Sequence, residues 1–186
     1  MFTSAQHPDE CGGPRALVAY ASKHGSTAEI AEAITFELRR CGIDTDCLEA
    51  GDVHDLDGYD AVVLGSAVYA RRWRREARHL LHTFGEPLSQ LPFWIFSTGP
   101  VGEHADGDGG WAEPKKVVET AHELGVRDHL VFGGRVPQDP GNFVERAMLR
   151  NTPPQFADLR DWDEIRARAR EIAEVIEQQA PAGQPR

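Results

Sequence analysis

Apolar and polar positions along this chain switch repeatedly between two periods. Residues 15–21 form a short apolar run with the length of a buried strand. The period then becomes helical over residues 26–41. Thr27, Ile30, Ala31, Ile34, Leu38 and Cys41 fall on one stripe, and Gly42 supplies a stop. On this reading Cys41 belongs to the core and is not a reactive thiol. Residues 43–50 alternate, as a half-exposed strand near a sheet edge does. Residues 60–68 begin with a continuous apolar run, which fits a central strand covered on both faces.

The alternation continues to the end of the chain. Trp73, Ala77, Leu80, Leu81 and Phe84 make a second helical stripe. Residues 92–99 read as another buried strand. Residues 114–124 read as a helix with Pro near its first turn and Gly125 at its end. Residues 129–136 read as the last strand. Trp162, Ile165, Ala169, Ile172, Ala173 and Ile176 mark the last helix, with Asp161 and Glu164 as its capping box. Strands that alternate with helices predict an α/β domain with a five-stranded parallel sheet and helices on both faces. The expected strand order is 2-1-3-4-5, and ligands then bind beyond the carboxyl ends of the strands, where strands 1 and 3 diverge.

Length and composition narrow the picture. The 186 residues suffice for one domain, expected over 15–178 between flexible tails at 1–14 and 179–186. The formal net charge of −10 argues against general nucleic-acid binding. Three scattered cysteines, Cys11, Cys41 and Cys47, have no zinc spacing and suggest a reducing compartment. No run is long and apolar enough to span a membrane, and the first residues lack the features of a signal peptide. A cytoplasmic protein is expected.

The exit of the first strand carries the chemistry. Ser22, Lys23, His24, Gly25, Ser26 and Thr27 lie between the strand and the helix with no spacer. A helix start offers unpaired N–H groups and a positive dipole end, which suit a phosphate. Gly25 permits close approach or a positive φ. The same residues also suit a plain helix cap. The loop is neither GxxxxGK[ST] nor GxGxxG, so neither a nucleoside triphosphate nor a dinucleotide site is indicated.

Ser-Lys-His-Gly-Ser-Thr after the first strand resembles the flavodoxin phosphate loop, [ST]-x-[STH]-G-x-[ST]. Residues 65–73 and 97–102 lie where flavodoxin-like proteins wrap the flavin ring. The resemblance covers residues 15–176 and looks closest to the branch with the menaquinone-dependent protoporphyrinogen oxidases. It implies a flavodoxin-like three-layer α/β/α sandwich that binds FMN. Ser22 to Thr27 would cradle the phosphate. Ser66, Ala67, Val68, Tyr69 and Ala70 would line one side of the isoalloxazine, and Ser97, Thr98, Gly99, Pro100 and Val101 the other. Tyr69 is the first stacking candidate and Trp111 the second.

Three segments depart from that pattern. Residues 102–114 are long, Gly-rich and acidic. Asp106 and Asp108 suggest a calcium loop, but Val117 stands where the bidentate Glu belongs, so no metal is expected and the segment reads as a mobile lid or a disordered tip. Arg71, Arg72, Arg74, Arg75 and Arg78 form a basic cluster in an acidic chain. It reads as a solvated face paired with acids such as Glu76, or as a docking patch for an anion. Residues 142–149 read as a short helix with Phe143, Ala147 and Met148 facing inward. No nucleophile–base constellation is present, so catalytic residues are unassigned and a bound flavin would carry any chemistry.

Three functions are compatible with this reading. One is an FMN oxidoreductase that passes electrons from a porphyrinogen or NAD(P)H to a quinone-like acceptor. Another is a flavodoxin-type carrier between protein redox partners. The third is a flavin-free member that works through partner contacts. Peripheral membrane contact and a homodimer are both compatible with the sequence.

Overall fold

The computed structural model describes residues 13–69, 71–99, 113–136 and 157–179, together with Gly141, Phe143, Arg146, Ala147 and Arg150. The elements run β1 (Arg15–Ala21), α1 (Ser26–Arg40), β2 (Asp44–Glu49), β3 (Ala61–Tyr69), β4 (Arg72–Trp73) and α2 (Arg75–Thr83). They continue as α3 (Gly85–Ser89), β5 (Phe93–Gly99), α4 (Lys115–Glu123), β6 (His129–Gly133) and α5 (Trp162–Gln179). The five long strands pair in parallel in the order β2-β1-β3-β5-β6, which is the predicted topology. The sixth strand is an addition: β4 pairs antiparallel with the end of β3.

Two apolar layers sandwich the sheet. Ile30, Ile34 and Leu38 of α1 and Ile165, Ala169 and Ile172 of α5 cover one face. Ala77, Leu80 and Leu81 of α2 and Val117, Val118 and Ala121 of α4 cover the other. The first eight residues of β3, Ala61 to Val68, are all buried, as the continuous apolar run requires of a central strand. Gly65 in that strand is a packing requirement, because a Cβ there would collide with the Phe96 ring on β5. The stops behave as expected. Gly42 and Gly125 take positive φ after α1 and α4. Asp161 Oδ1 accepts from the N–H groups of Asp163 and Glu164 to cap α5, both at 3.0 Å.

Three expectations change. Trp73 does not belong to the helical stripe of α2 but to β4, paired with Val68. Its helical spacing from Ala77 and Leu80 was a coincidence of period, overridden by a hydrogen bond from the Arg74 N–H to Ser66 Oγ that folds the chain back before the helix begins. The last strand stops at Gly133, and Arg135 instead makes an isolated bridge to Asp158. Phe143 does not face inward; it is 85% exposed. The Pro14 carbonyl accepts from Asp44 N–H, and α5 ends at Gln179. Among the described residues no helix is long and apolar enough to cross a membrane, and no group of three His, Cys, Asp or Glu could hold a metal ion.

Candidate functional site

A cleft opens beyond the carboxyl ends of β1, β3, β5 and β6, with about 580 Å³ of space including its mouth. Its floor at the β1–α1 junction is built around Gly25, whose φ of 84° an L side chain rarely adopts. The Gly25 N–H donates to Ser22 Oγ at 3.0 Å, which closes the turn. Gly25 is the N-cap of α1 and has no side chain to cap it. The first helical bond runs from Glu29 N–H to the Gly25 carbonyl. The N–H groups of Ser26, Thr27 and Ala28 precede that bond at the positive end of the helix. Ser26 Oγ is buried with no hydrogen-bond partner among the described residues, and Ser26 lines the cleft.

Thr27 ties this loop to the opposite wall. Its hydroxyl lies 2.7 Å from that of Thr98 on β5, and both side chains are buried. The outer wall is Tyr69, 40% exposed at the end of β3. The Lys23 ammonium sits 5.6 Å from the centre of its ring, and the His24 ring meets it edge-on at 6.4 Å. An exposed aromatic at a cleft mouth is a surface on which a flat ring can stack.

Behind this lining runs a buried polar chain. The Trp73 indole N–H donates to Ser97 Oγ at 2.8 Å, and Ser97 Oγ lies 2.9 Å from His129 Nε2. The direction of the Ser97–His129 bond follows the imidazole tautomer, because a serine oxygen can accept from Trp73 and still either donate to or accept from Nε2. The other ring nitrogen, His129 Nδ1, lies 3.7 Å from Glu113. Burial holds the His129 pKa below its ordinary value, against the opposing pull of Glu113 and Asp128. Ser66 does similar work at the end of β3: it accepts from Arg74 N–H and donates to the Ala67 carbonyl, each at 2.9 Å.

The far end of the cleft was not legible as a site. Gly134, Arg135, Val136 and Leu159 line it. The two glycines at the exit of β6 were the available signal. A Cβ on Gly133 would strike the Leu159 carbonyl, and one on Gly134 would come within 3.1 Å of Gly99. Residues 157–159 return along this edge, with Val136 N–H donating to the Ala157 carbonyl and Leu159 N–H to that of Gly134. Arg135 and Arg160 both hold Glu29 in the first turn of α1, at 2.7 and 2.5 Å. Arg160 also binds Asp158 at 2.6 Å and lies over the Trp162 ring. The hydrogen bond from Arg160 is the main reason the Glu29 carboxyl sits below its ordinary pKa. This carboxylate is thus neutralised where it would otherwise repel an anion at the helix start.

Of the residues the sequence singled out, Ser22, Lys23, His24, Ser26 and Thr27 meet in the cleft with Ala67, Val68, Tyr69, Thr98 and Gly99. Gly25 shapes the turn beneath them. The Ser66 and Ser97 side chains are fully buried and spent on internal hydrogen bonds. Ala70, Pro100, Val101, Trp111 and most of the 102–114 loop lie outside the described residues.

Residues 17–152 match the flavodoxin domain family. No curated protein matches the chain. Among solved structures, a flavodoxin from the domain Archaea superposes with a TM-score of 0.55 at 18% identity, covering 87% of this chain and 98% of that one. Flavodoxin 2 from Bacillus cereus gives 0.57 at 21% identity, covering 89% and 99%. Rubredoxin oxygen:oxidoreductase from Desulfovibrio gigas gives 0.61 at 14% identity, covering 92% of this chain but 38% of that larger one. The parallel sheet, the cleft at its carboxyl edge and the family match agree: the chain belongs to the flavodoxin domain family.

Proposed function

We propose that this chain binds FMN in the cleft and exchanges electrons with a redox partner at the Tyr69 edge. The observation that carries the reading is Ser26 Oγ, buried and unpartnered at the uncapped start of α1. A buried hydroxyl without a partner costs on the order of 1–3 kcal/mol, and a phosphate oxygen would relieve it. The N–H groups of Ser26, Thr27 and Ala28 would donate to the same group, as would the Ser22 hydroxyl, whose oxygen already accepts from Gly25. Neutralisation of Glu29 by Arg135 and Arg160 removes the repulsion a phosphate would meet. Tyr69 would cover one face of the ring, while Ala67, Val68, Thr98 and Gly99 bound its edge. A bound flavin supplies one- and two-electron chemistry, and the protein orients it and limits water.

Similarity to flavodoxins supports a carrier between proteins. The finer sequence expectation is an oxidoreductase from a porphyrinogen or NAD(P)H to a quinone. It rests on the loops alone, because the comparisons support the family and not the protoporphyrinogen oxidase branch. Cytoplasmic placement and self-association likewise rest on sequence, and fractionation and light scattering read them. The deciding experiment is a visible absorption spectrum before and after adding FMN and desalting. Retained flavin bands are expected. A colourless chain that also refuses added FMN overturns the reading. With flavin bound, sustained turnover of NAD(P)H and a quinone would favour the enzyme. Reduction by protein donors alone would favour the carrier.

A further inference from the structure

We propose that Arg71, Arg72 and Arg75 form a docking surface for an acidic redox protein beside the cleft mouth. This deepens the reading above and rests on it. Tyr69, at the cleft mouth, pairs across the β3–β4 ribbon with Arg72, and Arg71 occupies the turn with a φ of 62°. Arg75 follows in the first turn of α2, and all three arginines are exposed. Arginine at a helix start opposes the dipole, so the fold gains nothing there from Arg75.

Most other arginines around the fold are matched with carboxylates. Arg15 holds Asp46, Arg135 holds Glu29, Arg160 holds Glu29 and Asp158, and Arg168 holds Glu171. Within the cluster Arg74 lies 3.3 Å from Glu76, and Arg78 Nε–H donates to the Trp73 carbonyl. Arg71, Arg72 and Arg75 have no such partner among the described residues, in a chain with 30 acidic side chains. The patch is also held rigidly. Trp73 is pinned to Ser97, and the Arg74 N–H to Ser66.

The layout selects the class of partner. Arg71 and Arg72 border neither of these two clefts, and Arg75 borders only the second, which also holds Glu76, His54 and His79. The three charges spread over a ribbon and a helix start instead of converging on one pocket, which suits several carboxylates on a protein surface better than one small anion. The chain as a whole carries a net charge of −10, so an acidic partner is repelled elsewhere and attracted here. Electrostatic steering thus favours arrival at the Tyr69 edge. Its range is short, about 8 Å at physiological salt.

The test reads the sign of the charge at the flavin edge. Reduced holoprotein is oxidised in stopped flow by ferricyanide, an anion, and by hexaammineruthenium(III), a cation, between about 10 and 300 mM NaCl. The ferricyanide rate is expected to fall at least about threefold as salt rises, and R71Q/R72Q/R75Q should abolish the fall. A ruthenium rate that falls while the ferricyanide rate rises shows a negative edge and overturns the proposal. Polyglutamate should slow ferricyanide in the wild type and not in the variant. Free glutamate at the same residue concentration should not. Equal inhibition by free glutamate indicates a small-anion site and overturns the macromolecular assignment. If the chain holds no flavin, the proposed function fails separately. Fluorescence anisotropy of labelled polyglutamate with the flavin-free chain then tests the patch by itself, and equal binding by wild type and variant overturns it. Far-UV circular dichroism confirms that the variant is folded.

Discussion

The hydroxyls of Thr27 and Thr98 lie 2.7 Å apart in the buried wall of the cleft and join the start of α1 to the end of β5. Thr27→Val removes one partner and leaves the buried Thr98 hydroxyl without it. A loss of about 1–3 kcal/mol is expected in urea denaturation. The double variant T27V/T98V should recover part of that loss, because it leaves no orphaned hydroxyl. Full additivity of the two single effects would show that the pair is not coupled.

Ser26 is predicted to act on ligand and not on fold. Ser26→Ala removes a hydroxyl that has no partner among the described residues, so stability should hold or rise slightly. FMN affinity should drop about tenfold, the value of one hydrogen bond to a charged group. Riboflavin, which lacks the phosphate, should bind both proteins equally in a fluorescence-quenching titration. A parallel loss for riboflavin would move Ser26 away from the phosphate.

Gly65 tests the packing between β3 and β5. Gly65→Ala places a methyl in the Phe96 ring, and a loss of about 3 kcal/mol is expected from overpacking. Pairing it with Phe96→Leu, which replaces the ring with a smaller side chain, should cost less than the sum of the two changes. Denaturation midpoints of the four proteins check this.

His129 gives a pH dependence with a defined sign. Its folded pKa lies below the ordinary 6.5, chiefly through burial. Between the two values the unfolded chain binds more protons, so stability is full above 6.5 and declines as pH falls below it. His129→Gln should remove that slope. Urea midpoints across this interval read the effect.

Glu29 acts in a more acidic window. Arg160 and Arg135 lower its carboxyl from the ordinary 4.5, so its contribution is present above that value and is lost as pH falls through the folded one. Its side chain is 40% exposed, so the effect on stability should stay under about 1 kcal/mol. Glu29→Gln should flatten the acid limb of the stability curve.

The parallel sheet was legible because β1, β3, β5 and β6 carry apolar runs, β2 alternates as an edge strand does, and each long helix carries one stripe. The phosphate-type loop was legible because its residues are contiguous. Trp73 was misplaced because helical spacing and a short ribbon look alike over four residues, and the Trp73–Ser97 bond spans 24 residues of sequence. Arg135 and Leu159 were missed for a related reason. They reach the cleft only because β6 ends at Gly133, three residues before the expected end at Val136, and the chain returns along its edge. Phe143 followed an apolar pattern and is nevertheless exposed, and nothing in the structure explains it.

Glu29 lies 106 residues before Arg135 and 131 before Arg160, and both guanidiniums hold it. Helix α1 is therefore braced by segments synthesised 106 and 131 residues after Glu29. A nascent chain has its anion-attracting loop well before the cations that neutralise Glu29. Cleft completion thus waits on the synthesis of residues 135–160, and a chain cut just before position 135 would keep the long strands while leaving that carboxylate bare.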